Sequence, residues 1–287
     1  MNSVSVITLV HGRKQHLGNL IIGLHQSDIL PQELVIIHMN EESTYPLPAT
    51  SFPQYRYQVN STDTKIPLAA ARNEGVNQAQ HNFLVFLDVD CIPSPTLIGN
   101  YLKAKQQFDG LIMGEIRYLP KGALPARWQT SELAQWGVPH PNRPSISSAV
   151  EPTERYELFW SLNFAITRQN FEKIGGFDTQ YQGYGAEDTD LAFTARQRNI
   201  PFALGSATCY HQHHPVYQPP LQHFQDIVVN ARRFYEKWQT WPMEGWLQKF
   251  TERKLIQWEA RGSTIEILRE PNSDEIQAAY HEAPAGF

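Results

Sequence analysis

The chain predicts an α/β fold, a mixed sheet of the Rossmann-like nucleotide-binding type flanked by helices. Three observations predict it. Val4 to Val10 and Leu34 to Met39 are apolar runs of strand length. Between them, from about His16 to Ser27, Leu17, Leu20, Ile21 and Leu24 recur at helical spacing. This β-α-β order implies a parallel pair joined by a right-handed crossover. A third run, Phe83-Leu84-Val85-Phe86-Leu87, is apolar throughout, as suits a strand buried on both faces, and it runs into Asp88-Val89-Asp90. Acids at the carboxyl end of such a strand lie where open α/β sheets bind ligands.

The remaining elements follow in order. Tyr55 to Val59 reads as a short strand, after a loop from Glu41 to Pro53 rich in Pro, Ser and Thr. Pro67 to Gln80 reads as a helix, with proline in its first turn. A helix runs from Pro95 to about Phe108, and Gly110 to Tyr118 is a strand. Pro120 to Thr153 has little periodicity and reads as a long excursion near the site, of the kind that forms lids. Trp160 to Thr167 alternates. Trp160, Leu162, Phe164 and Ile166 would form a core face, and Ser161, Asn163 and Ala165 a small polar face like a pocket wall. Arg168 to Ile174 is a short helix stopped by Gly175-Gly176. Glu187 opens a helix to about Asn199, and Pro201 to Cys209 supplies one or two strands. Leu221 to Trp238 is an amphipathic helix with Leu221, Phe224, Val228, Ala231, Tyr235 and Trp238 on one stripe. Met243 to Arg261 is a weaker helix, and Thr264 to Leu268 a strand in a polar tail.

With 287 residues and a net charge of −5, the chain allows one large domain plus an appendage and disfavours nucleic acid as the main partner. Its two cysteines, Cys91 and Cys209, each flank a candidate site stretch and read as free thiols of an intracellular protein. No apolar run reaches the length of about 18 residues that spans a bilayer. The start has no secretory pattern, so the expected location is the cytoplasm, with peripheral membrane contact left open.

Three clusters carry chemistry. Asp88 and Asp90 place two carboxylates together, which a hard divalent cation carrying a diphosphate would neutralise. The bland alternative is an acidic turn. Glu187-Asp188-Thr189-Asp190 could simply satisfy a helix N-terminus, since acids there meet free N–H groups and the dipole. Ahead of it, however, Gly183-Tyr184-Gly185 offers close backbone approach and an aromatic face, as a sugar site needs. A carboxylate there can take a proton from a hydroxyl. His211, His213 and His214 form the third cluster, and His-x-His on a strand would present two imidazoles on one face. Two acids plus one imidazole is mostly oxygen ligation, which favours Mn²⁺ or Mg²⁺ over zinc. His11 and Arg13 occupy the first β-to-α turn, a ligand-facing place. Arg72 suits either a phosphate contact or a surface ion pair, and Trp160 either a sugar or the core.

Pro67-Leu68-Ala69-Ala70-Ala71-Arg72-Asn73, Phe86-Leu87-Asp88-Val89-Asp90, and Gly175-Gly176-Phe177-Asp178 through Tyr184-Gly185-Ala186-Glu187-Asp188-Thr189-Asp190 together resemble family 2 glycosyltransferases of the GT-A fold. The later segment is also similar to the C-terminal part of the β-1,4-galactosyltransferases. The resemblance covers about residues 4 to 215, so 1–215 is expected to be the catalytic domain and 216–287 a helical extension and tail. It implies a nucleotide-sugar donor, usually a UDP-sugar, a carbohydrate acceptor, a bound Mn²⁺ or Mg²⁺, and inversion at the anomeric carbon. By resemblance, Asp90 is a direct metal ligand, Asp88 contacts ribose or metal, and His211 or His213 joins the metal. Asp188 is the general base, and Glu187 helps bind a sugar. Val10, Arg13, Arg72, Asn73, Asp88 and Trp160 are expected around the donor, and the sugar moved is a hexose, galactose or N-acetylgalactosamine. One departure stands out. Many relatives end the second strand with Asp-Asp, one of which reads uracil, whereas this chain has His38-Met39-Asn40. The base is therefore read only as that of a nucleoside diphosphate. Two rival classes are a sugar-phosphate nucleotidyltransferase and a non-catalytic carbohydrate- or nucleotide-binding subunit. The first wants a glycine-rich basic phosphate loop, of which His11-Gly12-Arg13-Lys14 is a poor version. The second does not need both acidic clusters.

Overall fold

A computed structural model describes residues 3–282 apart from 62–64, 142, 145 and 147. Strand β1 (Val4–Val10), helix α1 (Lys14–His25) and strand β2 (Glu33–Met39) form the expected crossover, and β3 (Gln54–Val59) follows in parallel. Helix α2 (Leu68–Gln78) leads to β4 (Phe83–Leu87), which pairs parallel with β1. Short β5 (Cys91–Pro93), helix α3 (Leu97–Gln107) and β6 (Leu111–Tyr118) come next. The long excursion contains a 3-10 turn over Thr130–Gln135, β7 (Val138–Pro139) and β8 (Val150–Thr153). It is therefore not structureless, because β7 pairs with β6 and β8 with the strand after α5. Then come β9 (Asn163–Thr167), α4 (Arg168–Ile174), α5 (Glu187–Gln197) and β10 (Phe202–His211).

The main sheet runs β3-β2-β1-β4-β9-β6-β10-β5, with β9 antiparallel to both its neighbours. Strand residues alternate between two cores. Ile7, Leu9, Val35, Ile37, Leu84 and Phe86 meet helices α2, α4 and α5 on one face. Val4, Val6, Leu34, Ile36, Phe83 and Val85 meet α1 and α3 on the other. Because helices cover both faces, the strands are continuously apolar, which is what the β4 sequence showed.

Residues 160–167 depart from expectation. The ladder begins at Asn163, so Trp160 and Leu162 lie outside the alternation. Leu162 packs with the α1/α3 core, while Phe164 and Ile166 belong to the opposite one. The face carrying Asn163 and Ala165 is not a pocket wall, since both are fully buried. The Asn163 amide accepts from Tyr101 Oη at 2.7 Å and donates to the carbonyls of Glu115 and Ala207 at 3.1 and 2.8 Å. It thus ties β9, β6 and β10 together across buried polar atoms that would otherwise be unsatisfied.

Beyond β10 come β11 (Val216–Tyr217), a 3-10 turn Leu221–His223, α6 (Phe224–Trp238), α7 (Glu244–Glu252), β12 (Ile256–Trp258), β13 (Ile265–Ile267), α8 (Ser273–Ala278) and β14 (Tyr280–His281). Helix α7 is shorter than the sequence pattern implied. Leu255 N–H bonds back to Phe250 O and Lys254 turns left-handed (φ 55°), so the chain leaves the helix for β12. Leu221, Phe224, Val228, Leu247, Phe250, Ile256 and Ile265 form a third core of their own. Among the described residues no helix is long and apolar enough to cross a membrane.

Gly114 sits at the centre of the Asn163 network. A Cβ there would lie 2.3 Å from Ala207 O, 2.4 Å from Asn163 Nδ2 and 2.5 Å from Tyr101 Oη. Overpacking of a tight core typically costs about 1–3 kcal/mol, and here hydrogen bonds would be broken as well. Gly114→Ala should therefore lower the melting temperature clearly in calorimetry, and an unchanged transition would refute this packing.

Candidate active site

Strand β4 ends at Leu87, and the chain turns at once: Cys91 N–H bonds to Asp88 O at 2.8 Å. Asp88 N–H is anchored on Leu162 O at 2.8 Å. In this turn the two carboxylates diverge. Asp88 faces Arg72 of α2, Nη2 to Oδ1 3.6 Å, and the same guanidinium reaches Glu187 Oε1 at 3.2 Å. Arg72 is 3% exposed, so it is a buried cation held between two acids, with its plane 5.0 Å from the Phe177 ring centre. Burial pushes the Asp88 carboxyl up, and Arg72 opposes that shift.

Asp90 points elsewhere. Its carboxylate comes together with imidazole nitrogens of His211 and His214, all within 4.8 Å of one another. Arg13 of the first β-to-α turn pairs with Asp90 Oδ2, and His16 Nε2 lies 3.8 Å from Oδ1. Asp90 Oδ1 is buried and accepts no hydrogen bond. Burial lowers the pKa of His211 well below its ordinary value, and that of His214 to about 4, with Arg13 adding to both shifts. Both imidazoles are thus neutral, the form a metal ion takes as ligand. An orphaned buried carboxylate oxygen beside two neutral imidazoles fits a divalent cation.

The strand geometry invoked for His211 and His213 does not reach that far. β10 ends at His211, so alternation no longer sets the direction of the next side chains. It is His214 that returns to Asp90, while His213 offers its carbonyl to His16 Nε2 at 3.5 Å. Gln212 holds this corner in place. Its N–H bonds to Asp90 O at 2.7 Å, and its amide donates to Val89 O and His16 O and accepts from Asn19. Sequence reasoning passed over Gln212 and His16, and it placed His214 in the histidine cluster but preferred His211 or His213 as the ligand; the meeting of β5, β10 and α1 gives all three their places.

Asp188 lies in the first turn of α5, next to Glu187. The acids of this turn do not cap the helix in the ordinary way. The N-cap, Ala186, is left-handed (φ 71°) and has no side-chain cap. Asp188 accepts only from Thr189 N at 2.7 Å and, at 3.3 Å, its hydroxyl. Burial first, and then the neighbouring Glu187, push its carboxyl up to about 7. Asp190 is 2% exposed and turns away, toward Tyr181, Lys237 and Trp238.

The other expected donor contacts divide. Val10 is fully buried in the α1/α3 core, so only its backbone faces the strand end. Asn73 is engaged in clamping the loop after α4, donating to Phe177 O and accepting from Phe177 N at 2.8 and 2.9 Å. Trp160 packs against the core, with the Arg143 guanidinium 3.4 Å from its ring centre and His140 edge-on at 5.1 Å. Arg143 and His140 belong to the long excursion, so Trp160 is where that segment docks.

The family described as the N-terminal domain of galactosyltransferase matches residues 142–211. The chain is 28% identical over 79 residues to validoxylamine A glucosyltransferase of Streptomyces hygroscopicus subsp. jinggangensis, covering 28% of this chain and 18% of that protein. It is 25% identical over 181 residues to hyaluronan synthase of Pasteurella multocida, covering 55% of this chain and 19% of that one. The chain thus spans about a fifth of the length of these relatives. Among solved structures, S. aureus TarS 1-349 superposes with a TM-score of 0.51 at 12% identity, over 81% of this chain and 65% of that one. GalNAc-T7, solved with UDP, GalNAc and Mn²⁺, superposes with a TM-score of 0.52 at 15% identity, over 74% of this chain and 44% of that one.

Arg72 offers a direct check on the site. Its removal leaves buried Glu187 and half-buried Asp88 without their shared cation, and breaking a fully buried pair typically costs about 3–5 kcal/mol. Arg72→Met should push the Asp88 carboxyl further above its unfolded value. A raised folded pKa means stability that is present at low pH and lost as pH rises through it. The melting temperature should accordingly drop more at pH 8 than at pH 5.5, and an equal drop at both would show that Arg72 does not serve as the counter-ion. The fold is thus that of the GT-A glycosyltransferase structures, and residues 142–211 resemble the galactosyltransferase domain.

Proposed function

We propose that this domain transfers a hexose, galactose or N-acetylgalactosamine, from a nucleoside diphosphate sugar to a hydroxyl of a carbohydrate acceptor, with inversion. UDP is the nucleotide favoured by the UDP-bound structural neighbour. The observation that carries the reading is a pair of separate acidic stations on either side of the Arg72 bridge between Asp88 and Glu187. One is Asp90 with His211 and His214, and the other is Asp188 with a carboxyl pushed up to about 7.

Asp90, His211 and His214 would hold the divalent cation. Two nitrogens and one oxygen suit Mn²⁺ better than Mg²⁺, which prefers an all-oxygen shell. When bound, such an ion supplies charge stabilisation for the departing diphosphate. Asp88, already beside Arg72, faces the ribose or the metal. Arg13, at the first strand-to-helix turn, stands where an incoming phosphate would meet it. Asp188 takes the proton from the acceptor hydroxyl as its oxygen attacks the anomeric carbon from the face opposite the diphosphate. A base with a pKa near the working pH both exists in the ionised form and accepts a proton readily. Glu187, fixed by Arg72, would bind a sugar hydroxyl. The appended unit 216–287 completes the domain.

Two measurements test this reading. In thermal-shift assays, UDP or a UDP-hexose should raise the melting temperature with Mn²⁺ and not with EDTA, since a ligand of the native state stabilises it in proportion to its occupancy. Asp90→Ala and His214→Ala should abolish that shift. If instead His213→Ala abolishes it and His214→Ala does not, the ligand set is wrong. Asp188→Asn should retain metal-dependent nucleotide binding while turnover falls by roughly 10²–10⁴-fold, the usual contribution of a positioned base. Because the base works ionised, wild-type kcat/KM should fall as pH drops below about 7, on the side where Asp188 protonates. A profile flat from pH 5.5 to 8 would remove Asp188 from that role.

A further inference from the structure

Helix α6 carries two stripes. One, made of Phe224, Ile227, Val228 and Ala231, faces the third core. The other is polar and follows positions i, i+4, i+7 and i+11, which share a helix face: Asp226, Asn230, Arg233 and Lys237, with Trp238 beside them. Every member of this second stripe meets the segment that leads into Asp188. Asn230, 1% exposed, donates to Gln182 O at 3.0 Å and to Tyr184 O at 3.2 Å. Gln182 and Tyr184 each precede a left-handed glycine, Gly183 (φ 71°) and Gly185 (φ 101°). A Cβ on Gly183 would lie 2.1 Å from Asp226 Oδ2, so helix and loop are in close contact there. Arg233 pairs with Asp178 at 3.4 Å and bonds Gln180. Lys237 Nζ and Trp238 Nε1 reach the two oxygens of buried Asp190 at 2.9 and 2.7 Å, one turn along α5 from Glu187. Asp226 also pairs with Lys65, which precedes α2 and hence Arg72, at 3.1 Å.

We propose that α6 is the template that sets the Gly183–Gly185 loop and the first turn of α5, with Asn230 and Trp238 as positioning residues for Asp188. Residues 216–287 then belong to the working unit and are not a separable appendage. The physical argument is that two positive-φ glycines with one residue between them, Gly183 and Gly185, leave the loop with many accessible backbone states. A base must be held to a fraction of an ångström, and a displacement of about 1 Å can cost about 10²-fold in rate. Of the loop's own side chains, Tyr181 reaches Asp190 at 3.1 Å. Tyr184 leans outward on His223 at 4.6 Å and Trp246 at 5.8 Å, both again from the extension. The carbonyl clamp from Asn230 and the Asp190 anchor from Trp238 and Lys237 supply direction-specific restraint. The role given to Asp188 here rests on the proposed transfer reaction. The restraint of its loop does not.

The test uses the full chain and three variants: Asn230→Ala, Trp238→Phe, which keeps the ring and loses one hydrogen bond, and Val229→Ala on the exposed side of α6 as a control. Three readouts are made: hydrogen exchange of the free protein, binding of UDP with Mn²⁺ by calorimetry, and UDP release from UDP-N-acetylgalactosamine. In Asn230→Ala and Trp238→Phe, exchange should rise at 181–190 and stay unchanged at 83–91. UDP affinity should be retained, and turnover should fall roughly 10- to 100-fold with little change in donor KM. Val229→Ala should match wild type in all three. Unchanged exchange at 181–190 in both variants would overturn the proposal, as would a rise in exchange across the whole sheet with parallel loss of UDP binding. A wild type that neither binds UDP nor releases it would refute the donor reading, and the exchange comparison would still decide the role of α6.

Discussion

The site depends on where one buried guanidinium goes. Arg72 projects from α2 into a space closed by the end of β4 and the start of α5, and it is almost wholly out of water. A buried cation is tolerated only with partners, and breaking such a set is costly. Its partners are Asp88 and Glu187, which lie far apart in the sequence. The ion triad therefore works as a spacer. It brings two acidic segments to the same mouth of the sheet without letting them repel, and it fixes Asp88 facing one way and Glu187 the other.

A second constraint holds the neighbouring station. Asp90 would be free to swing if its turn were an ordinary loop tip. Gln212 prevents this by occupying the corner after β10, with hydrogen bonds to the turn and to α1. Beneath it, β5 pairs antiparallel with β10, so that Cys91 stands opposite His211 and Cys209 opposite Pro93. The two free thiols are fully buried there, and they pack as small apolar groups under the carboxylate and the histidines.

Much of this was legible because periodicity reports burial. The apolar runs of β1, β2 and β4 and the spacing in α1 marked a sheet covered on both faces, and the order of elements placed Asp88 and Glu187 at its carboxyl edge. What was not legible is side-chain direction once a regular element has ended. Asp88 and Asp90 read as one pair, yet they diverge because β4 stops at Leu87. His211 and His213 read as co-facial, yet β10 stops at His211 and the chain brings His214 back. Trp160 read as part of a strand face for the same reason. Trp238 was assigned to the apolar stripe of α6, and its ring is half-buried there, but its indole N–H is committed to Asp190. Long-range polar contacts of this kind leave no periodic trace in a sequence.

The electrostatics of the Asp188 turn follow from how Arg72 is divided. Had the guanidinium paired directly with Asp188, the carboxyl would sit low and make a weak base. Had it been absent, burial and Glu187 together would have pushed the Asp188 carboxyl higher still. Arg72 instead spends its two direct contacts on Asp88 and Glu187 and acts on Asp188 only at a distance, through space. Burial and the Glu187 charge then raise the Asp188 carboxyl, while Arg72 and the Thr189 hydrogen bonds temper the rise, and the balance falls at about 7. That balance survives only if the turn stays where it is. Asp190, one turn along α5 from Glu187, is anchored by Trp238 and Lys237, and that anchor holds the turn in place.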